Sequence, residues 1–265
     1  MIVDSHIHLG MTVSAPCVDK STEAALALMD HLGIDKAISA NHPLIAGRLQ
    51  KGFDDAVEAY RLSRGRILSF AVFHPMYIEE DLNWVRRCLE HEAFVGIKIH
   101  PRRAEFYPDD ERWDPVWRLA SEHQVPILAH TWWVSDYNPG QRFCTPDRFE
   151  HYVKAYPDVM LILGHAGGRY EGHLAAARLA RKHPNVFMDL SGDSYSFGLV
   201  EWFVQHAGAD RVLFGSDVTL IDVRTTMGRV LDAGISAEDK ALILGLNAMR
   251  LFRLQETECG GQEDT

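Results

Sequence analysis

The chain opens with MIVDSHIHLG, residues 1–10, a stretch that sets two histidines inside an apolar run. Apolar and β-branched residues on both sides of the histidines indicate a buried β-strand. His6 and His8 are two positions apart, so in a strand their side chains point to the same face. The segment therefore predicts a first strand that carries two neighbouring imidazoles at its carboxyl end.

Short apolar runs of the same kind recur along the chain and alternate with amphipathic stretches. The later runs are KAISA, ILSFAVFHP, VGIKIHP, PILAHTW, VMLILGHAGG, VFMDLSG and RVLFGSD. Between them, apolar residues recur at helical spacing, as at Ala24, Leu28 and Leu32. Eight strand–helix units and a final SAEDKALILGLNAMRLFRL helix predict an α/β fold, a (β/α)₈ TIM barrel with an extra C-terminal helix. A doubly wound parallel sheet is the alternative.

The composition is that of one large globular domain. The chain has 265 residues, 46% hydrophobic and 24% charged, and no Pro- or Ser-rich linker divides it. We therefore expect a single barrel domain over residues 1–265. The net charge of −10 argues against nucleic acid or an anionic membrane as a partner.

The four cysteines and the apolar runs bear on the compartment. Cys17, Cys88, Cys144 and Cys259 are scattered and form no CxxC pair, which is not the pattern of a disulfide framework. No signal-like segment precedes the first strand, and no apolar run approaches the roughly 18 residues of a membrane span. We expect a cytoplasmic protein with reduced thiols.

Most of the strands end in polar residues that a buried strand does not need. These residues are His6, His8, Lys98, His100, His130, His165, Asp189 and Asp217. Each alone has an ordinary structural explanation, but the carboxyl ends of barrel strands form one rim, where active sites lie. Imidazoles with the Asp217 carboxylate suit Zn²⁺ and, less selectively, Fe²⁺ or Mn²⁺. The pattern predicts a metal site.

Six segments in order, MIVDSHIHLG, GIKIHP, ILAHT, LILGHAGG, VLFGSD and LGLNAMRLF, resemble the amidohydrolase superfamily. They are most similar to the branch of aminocarboxymuconate semialdehyde decarboxylase and the pyrone dicarboxylate lactonases, which also has a (β/α)₈ barrel. The resemblance implies metal ligation by His6, His8, His130 and Asp217, with Asp217 also a general base. It places His165 near the water or the substrate.

The resemblance also implies the chemistry. We expect one ion, Zn²⁺ before Mn²⁺ or Fe²⁺, although Lys98 could be carbamylated and bridge a second ion. The expected activity is that of a metal-dependent hydrolase, with Asp217 and His165 catalytic, that cleaves an ester, lactone or amide of a small carboxylate. The alternative is a metal-dependent non-oxidative decarboxylase of a small aromatic or unsaturated carboxylic acid.

Further residues after the strands indicate a small-molecule substrate with a carboxylate. Arg102 and Arg103 follow the fourth strand, and arginine pairs with carboxylates through two parallel hydrogen bonds. The predicted substrate-binding residues are Lys98, His100, Arg102, Trp132 and Tyr195. A homodimer through exposed tryptophans such as Trp113, Trp117 or Trp202 is a further expectation.

Two other classes remain open. One is a barrel that binds a metal or ligand without turnover. The other is a metal-dependent nuclease or phosphoesterase, which the acidic charge and the lysine at position 98 disfavour.

Overall fold

Eight parallel strands form the centre of the computed structural model, which describes residues 1–10 and 19–255. The strands are β1 (Val3–Ile7), β2 (Lys36–Ser39), β3 (Ile67–Phe73), β4 (Phe94–Ile99), β5 (Ile127–His130), β6 (Leu161–Gly164), β7 (Val186–Asp189) and β8 (Val212–Leu213). Each strand pairs with the next one in the chain, in the order β1 to β8. The predicted (β/α)₈ barrel is therefore confirmed, and the doubly wound alternative is excluded by this strand order.

Backbone hydrogen bonds at β1 bring the first and last strands together. Ser5 N donates to Phe214 O over 2.9 Å, and Asp217 N donates to His6 O over 2.8 Å. These bonds make the sheet a nearly closed barrel. They also set Asp217 directly beside the HxH pair, although the two lie at opposite ends of the sequence.

Helices surround the barrel and connect its strands. The α-helices are α1 (Thr22–Leu32), α2 (His42–Ile45), α3 (Leu49–Leu62), α4 (Ile78–Leu89), α5 (Pro101–Ala104), α6 (Asp114–His123), α7 (Glu150–Ala155), α8 (Glu171–Lys182), α9 (Leu199–Ala207), α10 (Val223–Leu231), α11 (Ala237–Ala241) and α12 (Asn247–Leu251). Helix α1 shows how the sequence sets their ends: the Ser21 hydroxyl accepts a hydrogen bond from Ala24 N, and Gly33 terminates the helix at φ 69°.

Four elements differ from the expected pattern. The short helices α2 and α5 form within the segments that follow β2 and β4, where the sequence pattern gives no helical period. The segment TPDRFEHYVKAYP, residues 145–157, has the sequence pattern of one helix with Thr145 as its cap, but it begins as a 3₁₀ turn, Pro146–Phe149, before α7. The C-terminal helix contains a π-helical turn, Leu242–Leu246, between α11 and α12.

The core lies between the barrel and its helices. Trp113 and Trp117 are fully buried there, at 1% and 0% exposure, so the expectation that they are exposed and available for a dimer contact was wrong. They were misjudged because α6 turns its apolar face, which includes Trp117, toward the barrel. Trp202 is half-buried and packs on the core.

Two further observations concern the cysteines and the membrane. Cys88 and Cys144 are buried free thiols, while Cys17 and Cys259 lie outside the described residues. Among the helices that the structure describes, none has both the length and the apolar character needed to cross a bilayer.

Candidate active site

The site lies at the carboxyl end of the barrel, where the chain turns sharply as it leaves β6 and β8. His165 and Asp217 adopt left-handed backbone conformations, with φ of 64° and 66°. Such conformations cost of order 1–3 kcal/mol in residues other than glycine. The surrounding fold holds them, because His165 N donates to Asp189 Oδ1 over 2.9 Å and Asp217 N donates to His6 O over 2.8 Å.

Asp189, at the end of β7, orients His6. His6 Nδ1 donates to Asp189 Oδ2 over 2.9 Å, which leaves the lone pair of His6 on Nε2. Asp189 Oδ1 accepts from the backbone N–H groups of His165 and Ser191. Burial raises the pKa of Asp189, but the charge and hydrogen bond of His6 outweigh it and hold that pKa below its ordinary value.

At His8 and Asp217, two acceptor atoms face each other. His8 Nδ1 donates to Ala40 O over 2.6 Å, so the His8 lone pair is also on Nε2. That atom lies 2.9 Å from Asp217 Oδ1, and His6 Nε2 lies 3.8 Å from the same oxygen. Within residues 1–10 and 19–255, this buried oxygen has no hydrogen-bond partner. Lone pairs that converge without a proton between them fit a divalent cation.

His130 and His165 form a similar pair. His165 Nδ1 is 2.8 Å from Ser191 Oγ, and His130 Nε2 is 3.2 Å from Gln141 Oε1. The remaining ring nitrogens, His165 Nε2 and His130 Nδ1, face one another at 3.0 Å. Because a neutral ring carries one proton, two rings that use it on these partners need a shared proton or a cation between them.

The donor atoms of His6, His165 and Asp217 all lie within 4.8 Å of one another, the one set of three or more found in the described part of the chain. His8 lies against Asp217, and His130 lies against His165, on the two sides of this set. The structure thus brings the four predicted ligands, His6, His8, His130 and Asp217, together with the predicted catalytic residue His165. The set of three donor residues contains His165, whereas the resemblance implied His8 and His130 as ligands. The ligand set itself stays a prediction.

Lys98 is buried at the centre of the site. Its Nζ lies 3.3 Å from His6 Nε2, the lone-pair nitrogen of that ring. Burial lowers the Lys98 pKa to about 8, although Asp189 and Asp217 oppose the change. Because Nε2 has a single lone pair, a cation bound to it replaces this hydrogen bond.

His6 and His130 are neutral near pH 7, because burial lowers the pKa of each ring. Burial, followed by the charge of Lys98, lowers the His6 pKa to about 3. Burial, followed by the charge of His165, also lowers the His130 pKa well below its usual value. The neutral ring is the form that binds a metal.

Two cavities adjoin these residues. The inner cavity has a volume of about 130 Å³ and is lined by His8, His42, Ile45, Lys98, His100, Arg103, His130, His165, Asp217 and Leu220. The outer cavity, of about 770 Å³, opens above it and shares His130, His165, Asp217 and Leu220 with it. Trp132 and Trp133 form part of the outer wall. A small ligand can therefore lie against the site within the barrel mouth.

The structure separates the predicted substrate-binding residues into two groups. Lys98 and His100 line the inner cavity, and Trp132 lines the outer one. Arg102 and Tyr195 line neither. Arg102 lies against Gly140, and Tyr195 is 54% exposed with the Arg229 guanidinium 5.4 Å from its ring.

His42 lies in the site but was not among the predicted residues. Its ring stacks on His8 with the centroids 4.9 Å apart, and it lines the inner cavity. The turn that places it begins at Asn41, whose Oδ1 accepts from Leu44 N. An Asn-His-Pro sequence directly after a strand, with asparagine as a helix cap, is the signal that could have identified it.

Comparison with known proteins assigns the family. The model of the amidohydrolase family matches residues 3–254. The chain belongs to the amidohydrolase family. A search of curated protein sequences gave no significant match.

Several solved structures share the fold of this amidohydrolase. A 2,6-dihydroxybenzoate decarboxylase from Rhizobium is 18% identical, with a TM-score of 0.77 over 95% of this chain and 98% of that one. A 5-carboxyvanillate decarboxylase from Sphingomonas paucimobilis is 15% identical, with a TM-score of 0.76 over 96% and 99%. A dihydroxybenzoic acid decarboxylase from Polaromonas, solved with manganese and 2-nitroresorcinol, is 18% identical, with a TM-score of 0.72 over 97% and 98%. At these identities the likeness establishes the fold.

Proposed function

We propose that this amidohydrolase is a metal-dependent, non-oxidative decarboxylase of a small aromatic carboxylic acid. The observation that carries the proposal is the convergence of proton-free donor atoms at the inner cavity, above all Asp217 Oδ1 facing His8 Nε2 at 2.9 Å. The chemistry of the three structural relatives favours this reaction over the hydrolysis expected first from sequence.

One divalent cation fits the donor set. His6, His8 and Asp217 would hold it, with His130 or His165 as a further ligand. Nitrogen and carboxylate donors accept Mn²⁺ or Zn²⁺, and one relative contains manganese. When bound, the cation supplies a Lewis acid for the substrate carboxylate or an adjacent oxygen.

The residues of the chain supply the remaining needs of the reaction. Loss of CO₂ breaks the bond between the ring carbon and the carboxyl carbon, and its electron pair stays on the ring carbon. A proton must then reach that carbon to give the arene. His165 lines both cavities and faces His130 across 3.0 Å, so this pair is placed to hold and deliver the proton.

The test compares the release of CO₂ from benzoates with the release of acid from esters and lactones. Protein loaded with Mn²⁺ or Zn²⁺ is incubated with hydroxybenzoates and, separately, with aryl esters and lactones. We expect CO₂ and the matching phenol from a hydroxybenzoate, and loss of both in His165→Asn. Acid release from an ester or lactone, with no CO₂ from any benzoate, would instead support the hydrolase.

A further inference from the structure

A third cavity lies beside the inner one, on the side of β3 and β4. It has a volume of about 450 Å³, and we call it the side cavity. Much of its wall is apolar, including Leu49, Val72, Phe73 and Met76. It shares Ile45, His100 and Arg103 with the inner cavity, so the two adjoin at these residues.

Arg103 lies at this junction without a counter-ion. Over the described ranges, its guanidinium makes no hydrogen bond or ion pair, and its nearest charged neighbour along the chain is the like-charged Arg102. The inner cavity also holds the cationic Lys98 and the imidazole His100, and its one carboxylate is Asp217. The side cavity is lined by two acids: Asp81 already pairs with His74, and Glu80 is exposed to solvent. An arginine in this position favours a carboxylate ligand.

The outer cavity opens toward solvent. Its wall includes Tyr137, which is fully exposed, and the exposed ion pair of Arg169 and Asp193, at 2.7 Å. The outer cavity therefore fits the route of entry, and the side cavity is left for the apolar part of a ligand.

We propose that the side cavity is the specificity pocket, and that the substrate is a benzoic acid with an apolar alkyl or alkoxy substituent. Arg103 pairs with its carboxylate, and the substituent lies against Val72 and Met76. The inference rests on the proposed function for the identity of the reacting group, but it concerns binding and is tested by binding.

The first experiment tests Arg103 through the dissociation constants of two probes. Titration calorimetry measures 4-propoxybenzoate, which is charged, and 4-propoxybenzamide, which is not. Arg103→Gln should weaken the benzoate about tenfold or more, the effect of losing a charge-assisted hydrogen bond, and leave the benzamide unchanged. Arg86→Gln, on the exposed face of α4, is the control for net charge. Equal weakening of both probes, or an equal effect of Arg102→Gln, would overturn the role of Arg103.

The second experiment tests the side cavity. Ala46 is exposed at its rim and does not line the inner cavity, so Ala46→Trp narrows the side cavity alone. We expect weaker binding of 4-propoxybenzoate, by about tenfold, and unchanged binding of benzoate. Val134→Trp narrows the outer cavity instead and should affect the two probes by the same factor.

The outcomes separate the two proposals. If Ala46→Trp weakens the binding of benzoate and 4-propoxybenzoate alike, the assignment of the side cavity as the specificity pocket is wrong, even if the protein releases CO₂ from a benzoate. If the variants discriminate between the probes as expected but no benzoate is decarboxylated, the pocket stands and the proposed reaction fails.

Discussion

At the scale of single residues, the site depends on which ring nitrogens carry no proton. Ala40 O and Asp189 Oδ2 accept hydrogen bonds from Nδ1 of His8 and His6, so the Nε2 atoms of both rings keep their lone pairs and face Asp217. Backbone and carboxylate partners of this kind fix the tautomer of a metal-binding histidine. The arrangement therefore predicts a cation before any ion is identified.

Asp217→Asn tests this arrangement directly. An amide loses the negative charge that faces His8 Nε2, so we expect the bound divalent cation to fall from about one per chain to near zero. Activity should fall more than the roughly 100-fold that loss of a supporting partner costs. Metal analysis after gel filtration measures the first effect. Asp232→Asn, on the exposed end of α10, is the matched control, and metal retained at wild-type levels in Asp217→Asn would contradict the assignment.

Asp189→Asn tests whether Asp189 orients His6 for metal binding. Asp189 accepts with both oxygens, from His6 Nδ1 on one side and from His165 N on the other. An asparagine has one accepting oxygen and cannot satisfy both, so one donor is left unpaired. We expect a metal affinity lower by about 10- to 100-fold, with the fold retained. Competition against a chromogenic chelator gives the affinity, and circular dichroism checks the fold. An unchanged affinity would show that Asp189 does not orient His6.

At the scale of elements, the sequence predicts which strands exist better than it predicts where each strand ends. All eight strands were expected from apolar runs, because a strand buried on both faces must be apolar throughout. Their ends were not, since RVLFGSD gives only Val212–Leu213 as strand and LILGHAGG leaves β6 at Gly164. At β6 the chain leaves the sheet because the next residue, His165, adopts a positive φ, which no periodicity encodes.

In the candidate site, the residues at strand ends could likewise be predicted better than those in loops. The strand-end histidines and Asp217 could be predicted because strand position alone sets where they emerge. His42 was missed, because its position depends on a cap formed by Asn41 in a loop, a weaker signal than a strand end. Arg102 and Arg103 were equivalent in the sequence, and only the conformation of α5 places one at the cavities and the other against Gly140.

Glu150 provides a prediction about two neighbouring elements. At the start of α7, it pairs with Lys182 and His183 at the end of α8, at 2.6 and 2.9 Å, and with Lys154. These hydrogen bonds, with that of Lys182 the largest, lower the Glu150 pKa from 4.5 to about 2. A lowered carboxyl pKa adds stability above the unfolded value, and this is lost as the pH falls from about 4.5 through 2.

Glu150→Gln should therefore lower the free energy of unfolding at pH 7 by at most about 1 kcal/mol, since the pairs are near the surface. The difference from wild type should shrink on acidification and at high salt. Urea unfolding at a series of pH values measures it, with Glu122→Gln on α6 as the control. A difference that is constant with pH would mean that the effect of Glu150 is not ionic.

At the scale of the whole molecule, the two ends of the described chain pack together. A Cβ built on Gly245, in the π-helical turn, would lie within 2.3 Å of Met1 O and 3.4 Å of Val3 N. Glycine thus lets the C-terminal helical segment pack against the backbone of β1. Contact between these two segments helps to close the barrel.

Gly245→Ala should lower stability by about 1–3 kcal/mol, the usual cost of overpacking, and so lower Tm by several degrees. Gly228→Ala is the matched control, because it lies in α10 with open space around its Cα. That variant should be neutral or slightly stabilising, as alanine favours helices. Calorimetry gives both Tm values, and a Gly245→Ala protein as stable as wild type would contradict the close contact.

The hydrogen bond from Asp217 to His6 has a consequence for how the protein is made. During synthesis, the HxH pair leaves the ribosome some two hundred residues before its carboxylate partner. A nascent chain that stops before position 217 lacks the complete set of proposed ligands, however well its earlier units have formed. Under the proposed function, tight metal binding would therefore require the finished barrel, and a cation bound there would stabilise the barrel against opening.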